Sequence, residues 1–97
     1  LLASDPRNPE FRRNLCTCLL RLGAIELNAG GYDSAVTHLT EAKANALALT
    51  LGHPKSALHP LLLSECNLKL GRAEEGRGEL SAAGDHYRQA RQAAESV

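Results

Sequence analysis

The sequence reads LLRLG at positions 19–23 and GGYDSA at positions 30–35, and Leu39 and Ala42 follow. The same skeleton returns later in the chain as Leu70-Gly71, Gly78-Glu79-Leu80, Ala83, Tyr87 and Ala90. Each matched pair is separated by 48 positions. A repeat at a fixed spacing identifies the building block of a fold. We therefore expect two copies of one structural unit.

Composition predicts an all-α fold. Leu and Ala dominate, aromatic residues make up 3%, and the β-branched aliphatic residues are only Ile25, Val36 and Val97. Leu and Ala favour helices, whereas strands are enriched in β-branched and aromatic residues. A chain of 97 residues suits one small domain.

Helix signals place the first two helices. Asn8 is a candidate N-cap before Pro9, and Gly30-Gly31 ends a first helix over about 9–29. Asp33 or a neighbour caps the second helix, which Gly52 closes. Spacings of three and four predict the inward side chains of each helix. They are Leu15, Leu19, Leu22 and Ile25 in the first helix, and Ala35, Leu39, Ala42, Ala46 and Leu49 in the second.

The third helix has two possible starts. Pro54 and Pro60 both suit a first turn, and only one of them can occupy it. The helix then continues to about Gly76, and a fourth helix runs from about Leu80 to Ala94.

The repeated pattern resembles the tetratricopeptide repeat. Its Leu-Gly pair, its glycine turn with Tyr or Leu two residues later, and its Ala-x-x-x-Leu/Tyr-x-x-Ala run all match in both copies. The resemblance implies two antiparallel helix-turn-helix repeats that form a four-helix, right-handed superhelical solenoid fragment. Repeat 1 would cover about 8–52 and repeat 2 about 54–97, with 1–6 as the tail of a preceding repeat.

Two features depart from the usual family pattern. The period is 48 rather than the usual 34, and the Trp-like position holds Leu19 in one copy and Asn67 in the other. The segment from Asp5 to Leu15 resembles long-period repeats of large bacterial multidomain signalling proteins, including those attached to serine/threonine kinases.

The resemblance implies a protein-protein interaction module. The first helix of each repeat (helix A) would line a concave groove that holds a peptide or helix of a partner. The groove-facing positions are Thr17, Leu20, Arg21, Ala24, Leu27, Asn28, Glu65, Leu68, Lys69, Arg72 and Glu75. The cations among them suit an acidic partner, unless Glu65 and Glu75 neutralise them. Leu20 and Ala24 replace the family's carboxylate-clamp residues, so that clamp is absent.

Self-association is the alternative function. Solenoid repeats bury their apolar faces only against neighbouring repeats. A homodimer or end-to-end stacking would use Leu1 and Leu2 at one end and Leu80 and Tyr87 near the other.

Charge and motifs argue against other classes of function. Lys plus Arg and Asp plus Glu are both 11, so no basic excess points to nucleic acid or an anionic membrane. The longest apolar run, 61–63, is far short of the roughly 20 residues that cross a bilayer. No catalytic or cofactor-binding arrangement is recognisable, so we expect that the protein is not an enzyme. Three cysteines, an odd number, do not suggest a disulfide framework, and we expect a cytoplasmic location.

We expect the cysteines and histidines to have structural or surface positions rather than to form a chemical site. Cys18 and Cys66 are equivalent positions expected on the packed side, and Cys16 is expected to be more exposed, with its reactivity left open. Residues two apart on a helix point about 200° apart, so Cys16 and Cys18 do not suggest a metal site. His38 and His86 are also equivalent and are expected on the outer face of the second helix of each repeat (helix B).

Overall fold

The computed structural model describes residues 7–97, and this part of the chain is all-helical. Its elements are α1 (Pro9–Asn28), α2 (Tyr32–Gly52), α3 (Leu58–Gly76) and α4 (Leu80–Glu95). No strand occurs within 7–97, which confirms the predicted all-α class. The predicted tail at 1–6, with the predicted contacts of Leu1 and Leu2, lies outside the described residues.

The helix ends follow local chemistry. Asn8 caps α1 as predicted, because its Oδ1 accepts hydrogen bonds from the amides of Glu10 (2.9 Å) and Phe11 (3.5 Å). Gly31, and not Asp33, occupies the N-cap of α2, with no side-chain hydrogen bond. Asp33 instead lies in the first turn, where the helix dipole favours a carboxylate.

The start of α3 resolves the choice between the two prolines. The helix begins at Leu58, so Pro60 lies in its first turn and Pro54 lies outside the helix. Proline is tolerated there because a first-turn amide has no partner within the helix.

The helices pack in series. α1 contacts α2, α2 contacts α3, and α3 contacts α4. Helices α1 and α3 also touch, whereas α2 and α4 make no close backbone contact over 7–97. The chain forms a flat slab of 40 × 29 × 15 Å in which the α1/α3 side is the tighter one.

The sequence repeat is also a repeat of contacts. A Cβ atom placed on Gly23 would lie 2.5 Å from Leu39, and one on Gly71 would lie 2.5 Å from the Tyr87 ring. Both glycines therefore allow the two helices of a repeat to cross closely. The same 48-residue equivalence links two helix-to-helix hydrogen bonds, from Cys16 Sγ to the Ala42 carbonyl and from Ser64 Oγ to the Ala90 carbonyl.

The prediction that His38 and His86 lie on the outer face of helix B is wrong. His38 Nδ1 lies 2.8 Å from Glu26 Oε1, and His86 pairs with Glu74 in the second repeat. Each histidine therefore faces helix A of its own repeat. The spacing of α2 and α4 could not reveal this, since the acidic partner comes from another helix.

The core confirms the prediction for α2 and corrects that for α1. All five predicted inward residues of α2 are buried. In α1, Leu22 is 40% and Ile25 is 65% exposed, whereas Cys16 is completely buried and Cys18 is exposed. The two cysteines thus have the opposite placement from that predicted. The side of α1 that carries Cys18, Leu22 and Ile25 has no helix against it among the described residues.

Candidate partner-binding groove

Two adjoining cavities lie between α1 and α3 on the tighter side of the slab. The first, of about 320 Å³, is lined by Thr17, Leu20, Arg21, Ala24, Leu62, Glu65 and Lys69. The second, of about 410 Å³, is lined by Ala24, Leu27, Asn28, Tyr32, Lys69 and Arg72. Ala24 and Lys69 border both cavities, so they form one continuous furrow.

Helical spacing explains why these side chains meet. On α1, Thr17, Arg21 and Ala24 recur at i, i+4 and i+7, which places them on one face of the helix. On α3, Glu65, Lys69 and Arg72 follow the same spacing. The contact between the two helices turns the two faces towards one furrow.

Most of the eleven predicted groove residues line this furrow. Leu20 forms its floor, since the side chain is only 3% exposed. Leu68 and Glu75 do not line either cavity. Leu68 is 41% exposed on the far side of α3, and Glu75 accepts a hydrogen bond from the Tyr87 hydroxyl of α4.

Sequence reasoning missed two lining residues. Leu62 lies one turn before Cys66 on α3, and Tyr32 is the first residue of α2. The spacing of α3 contains the signal for Leu62, because Leu62, Glu65 and Lys69 recur at i, i+3 and i+7. Tyr32 was missed because only helix A positions were considered.

The furrow carries three cations that form no ion pair with any described residue. Arg21, Lys69 and Arg72 line it beside a single carboxylate, Glu65. Within residues 7–97 no salt bridge joins any of the three cations to Glu65 or Glu75. Neutralisation by Glu65 or Glu75 would therefore act without a direct ion pair among the described residues, and whether the cations meet an acidic partner stays a prediction.

Glu75 is engaged on α4 rather than in the furrow. Its carboxylate accepts the Tyr87 hydroxyl. Burial, followed by this carboxylate, raises the pKa of Tyr87 to about 12. The hydroxyl therefore remains a donor at neutral pH, and the Glu75 side chain belongs to the packing of the second repeat.

Within residues 7–97, the other chemistry-bearing residues form no site of their own. Within the described range, no three His, Cys, Asp or Glu side chains come close enough together to bind a metal ion. The thiols of Cys16 and Cys66 lie 4.0 Å apart, fully buried between α1 and α3. The contact with Cys16, and then burial, raise the pKa of the Cys66 thiol, so Cys66 stays protonated. No helix among residues 7–97 meets the length and hydropathy that a bilayer span needs.

Comparison with known proteins adds no family to this description. No protein family, curated protein or solved structure matches the chain.

Proposed function

We propose that the chain is a protein-binding module of the tetratricopeptide type whose furrow between α1 and α3 holds an extended acidic segment of a partner protein. The observation that carries the proposal is the furrow itself, with an apolar floor at Leu20 and Ala24 and three cations that form no ion pair within residues 7–97. As part of the same proposal, the module works in the cytoplasm within a larger signalling protein.

The packing supports a solenoid arrangement as part of this proposal. Each helix packs on the next, and the backbones of the A helices approach each other closely, whereas those of the B helices do not. A repeated unit with this asymmetry curves when further units are stacked, with the A helices on the inner side. The furrow then runs along the concave face.

The charge pattern favours a peptide over a nucleic acid. Three cations in one furrow, in a chain with 11 basic and 11 acidic residues, provide fewer phosphate contacts than nucleic-acid binding uses. The apolar floor gives side chains of an extended peptide a place to be buried. Carboxylates of the same peptide can meet Lys69 and Arg72 at the rim.

Selection from a random peptide display library tests this proposal. We expect enriched peptides to be rich in Asp and Glu, and to bind Lys69→Glu and Arg72→Glu variants at least tenfold more weakly, which is about 1.4 kcal/mol. Arg91→Glu is the matched control, because Arg91 is an exposed cation on α4 outside the furrow. Enriched peptides that bind all three variants equally would refute the groove.

Self-association is the second candidate function. It is favoured by large apolar side chains left exposed at opposite ends of the helix series, since Ile25 on α1 is 65% and Leu80 on α4 is 69% exposed. Exposed apolar surface on a small folded unit marks a contact site. Assembly and peptide binding use different surfaces and are compatible.

A further inference from the structure

The exposed side of α1 corresponds to a buried side of α3. We call Cys18, Leu22 and Ile25 the start face. The residues 48 positions later are Cys66, Leu70 and Ala73, whose exposed fractions are 0%, 1% and 0%. Helix α3 has α2 packed before it, whereas α1 has no preceding helix among the described residues. The start face is therefore the surface that a preceding helix B covers.

The opposite end shows the complementary pattern. We call Leu68, Leu80 and Ala94 the end face, and all three are exposed. Their equivalents 48 positions earlier are Leu20, Tyr32 and Ala46, of which Leu20 is 3% and Ala46 is 0% exposed and Tyr32 is half-buried. Helix α3 follows those residues, and no helix follows α4 within 7–97. The end face is the surface that a following helix A covers.

We infer that the end face of one copy of this chain docks on the start face of a second copy and reproduces the α2–α3 interface between molecules. The inference rests on the second proposed function, assembly, and specifies its geometry. The occupant is a second copy because these same two kinds of surface already cover each other inside the chain. Every molecule carries both of them.

The residue differences between repeat 1 and repeat 2 are compatible with this intermolecular interface. Inside the chain, the Tyr32 ring lies on Gly76, where an added Cβ would come as close as 2.4 Å to the ring. Between molecules, Leu80 would take the place of Tyr32, and Asn28 would take the place of Gly76. The side chain on one face is therefore smaller, and the one that it meets is larger. The size changes on the two sides therefore have opposite signs, as volume-conserving packing requires.

The intermolecular interface would lack one polar contact. Inside the chain, Arg77 Nε lies 3.0 Å from Asp33 Oδ1 across α3 and α2. The equivalent positions are Ala29 and Ser81, which cannot form an ion pair.

Inside the chain, Lys43 Nζ also donates to Gln89 Oε1. The equivalent positions between molecules are Arg91 and Glu41, which carry opposite charges. We therefore expect association to be driven mainly by apolar burial and to weaken modestly as salt is raised.

The geometry of this contact is head-to-tail. Two different faces meet, so a dimer leaves one start face and one end face free. Each face is formed by only two or three exposed apolar side chains, so we expect a weak contact. Sedimentation should show dimers and larger species as the concentration rises from roughly 10 to 500 μM.

Complementation between two variants tests the pairing. Ile25→Asp removes the start face and Leu80→Asp removes the end face, and both positions are exposed enough to leave the fold intact by circular dichroism. We expect each variant alone to be monomeric and an equimolar mixture to form a heterodimer that grows no further. Leu51→Asp is the control, since Leu51 is 74% exposed on α2 and belongs to neither face.

Three results would overturn the inference. Wild-type chain that stays monomeric throughout the concentration range removes assembly itself. If both single variants still form oligomers, the chain does assemble, but through a different interface. Failure of the mixture to form a heterodimer refutes the head-to-tail pairing. None of these results affects peptide binding in the furrow, which Lys69→Glu tests separately.

Discussion

Leu39 of α2 lies directly against the Cα of Gly23 of α1. A Cβ atom on Gly23 would come within 2.5 Å of Leu39 Cδ2 and 2.6 Å of its Cγ, and Leu39 is completely buried. Because Leu39 is completely buried, its side chain cannot move out into solvent. The absence of one side-chain atom at Gly23 therefore sets the distance between the two helices of the first repeat.

Gly23→Ala should destabilise the protein by about 1–3 kcal/mol, because overpacking outweighs the gain of roughly 1 kcal/mol in helix propensity. Chemical denaturation followed by circular dichroism measures the change. Gly52→Ala is the control, since no atom lies within 4 Å of the added Cβ, and it should leave stability unchanged or raised. Equal effects of the two substitutions would show that the close approach at Gly23 is unimportant.

Asn67→Leu should stabilise the protein by about 1 kcal/mol. Asn67 is 1% exposed, and its Nδ2 donates to the Leu63 carbonyl while its Oδ1 has no partner. An unsatisfied buried polar group is unfavourable, and the equivalent position of repeat 1 already holds Leu19. The free energy of unfolding provides the measurement, and Leu19→Asn, the reverse change, should destabilise. Loss of stability in Asn67→Leu would contradict the reasoning.

Thiol labelling of the native protein should modify one cysteine quickly. Cys18 is exposed, whereas Cys16 and Cys66 are completely buried, so only Cys18 is accessible to an aromatic disulfide reagent. Mass spectrometry should show one label in the native state and three in denaturant. Cys18→Ser should abolish the fast reaction. Rapid labelling of Cys16 in that variant would contradict its burial.

Stability should fall in acid through His59. Burial, then the Arg13 guanidinium and His53, lowers the pKa of His59 in the folded chain, and Arg13 Nη1 lies 3.4 Å from its Nε2. The unfolded chain takes up this proton near the ordinary pKa of 6.5. The contribution to stability is therefore present above that pH and is lost as the pH falls towards the folded pKa.

His59→Phe isolates this contribution, because Phe11 occupies the equivalent position in repeat 1. We expect wild-type chain to lose more stability than the variant between about pH 7 and pH 5. Denaturant titrations at several pH values provide the comparison. Parallel pH profiles for the two proteins would contradict the assignment to His59.

Local signals in the sequence were enough to define the four helices, most of their ends and the inward face of α2, whereas the start of α3 was left open between two prolines. Asn8, Gly30 and Gly52 act through the backbone of their own segment, and the alanine spacing of α2 is a property of one helix. The furrow positions on α1 and α3 were implied by the family resemblance, and helical spacing only places them on one face of each helix. Each of these features depends on residues close together in the chain.

Burial at the two ends depended on packing between helices. Cys18 and Cys66 occupy equivalent positions, yet only Cys66 has a helix packed before its own. Leu20 and Leu68 differ in the same way, because α3 covers one and nothing within 7–97 covers the other. The position of a residue in its helix sets the direction of its side chain. Whether the side chain then meets water or protein depends on which helices pack beside it.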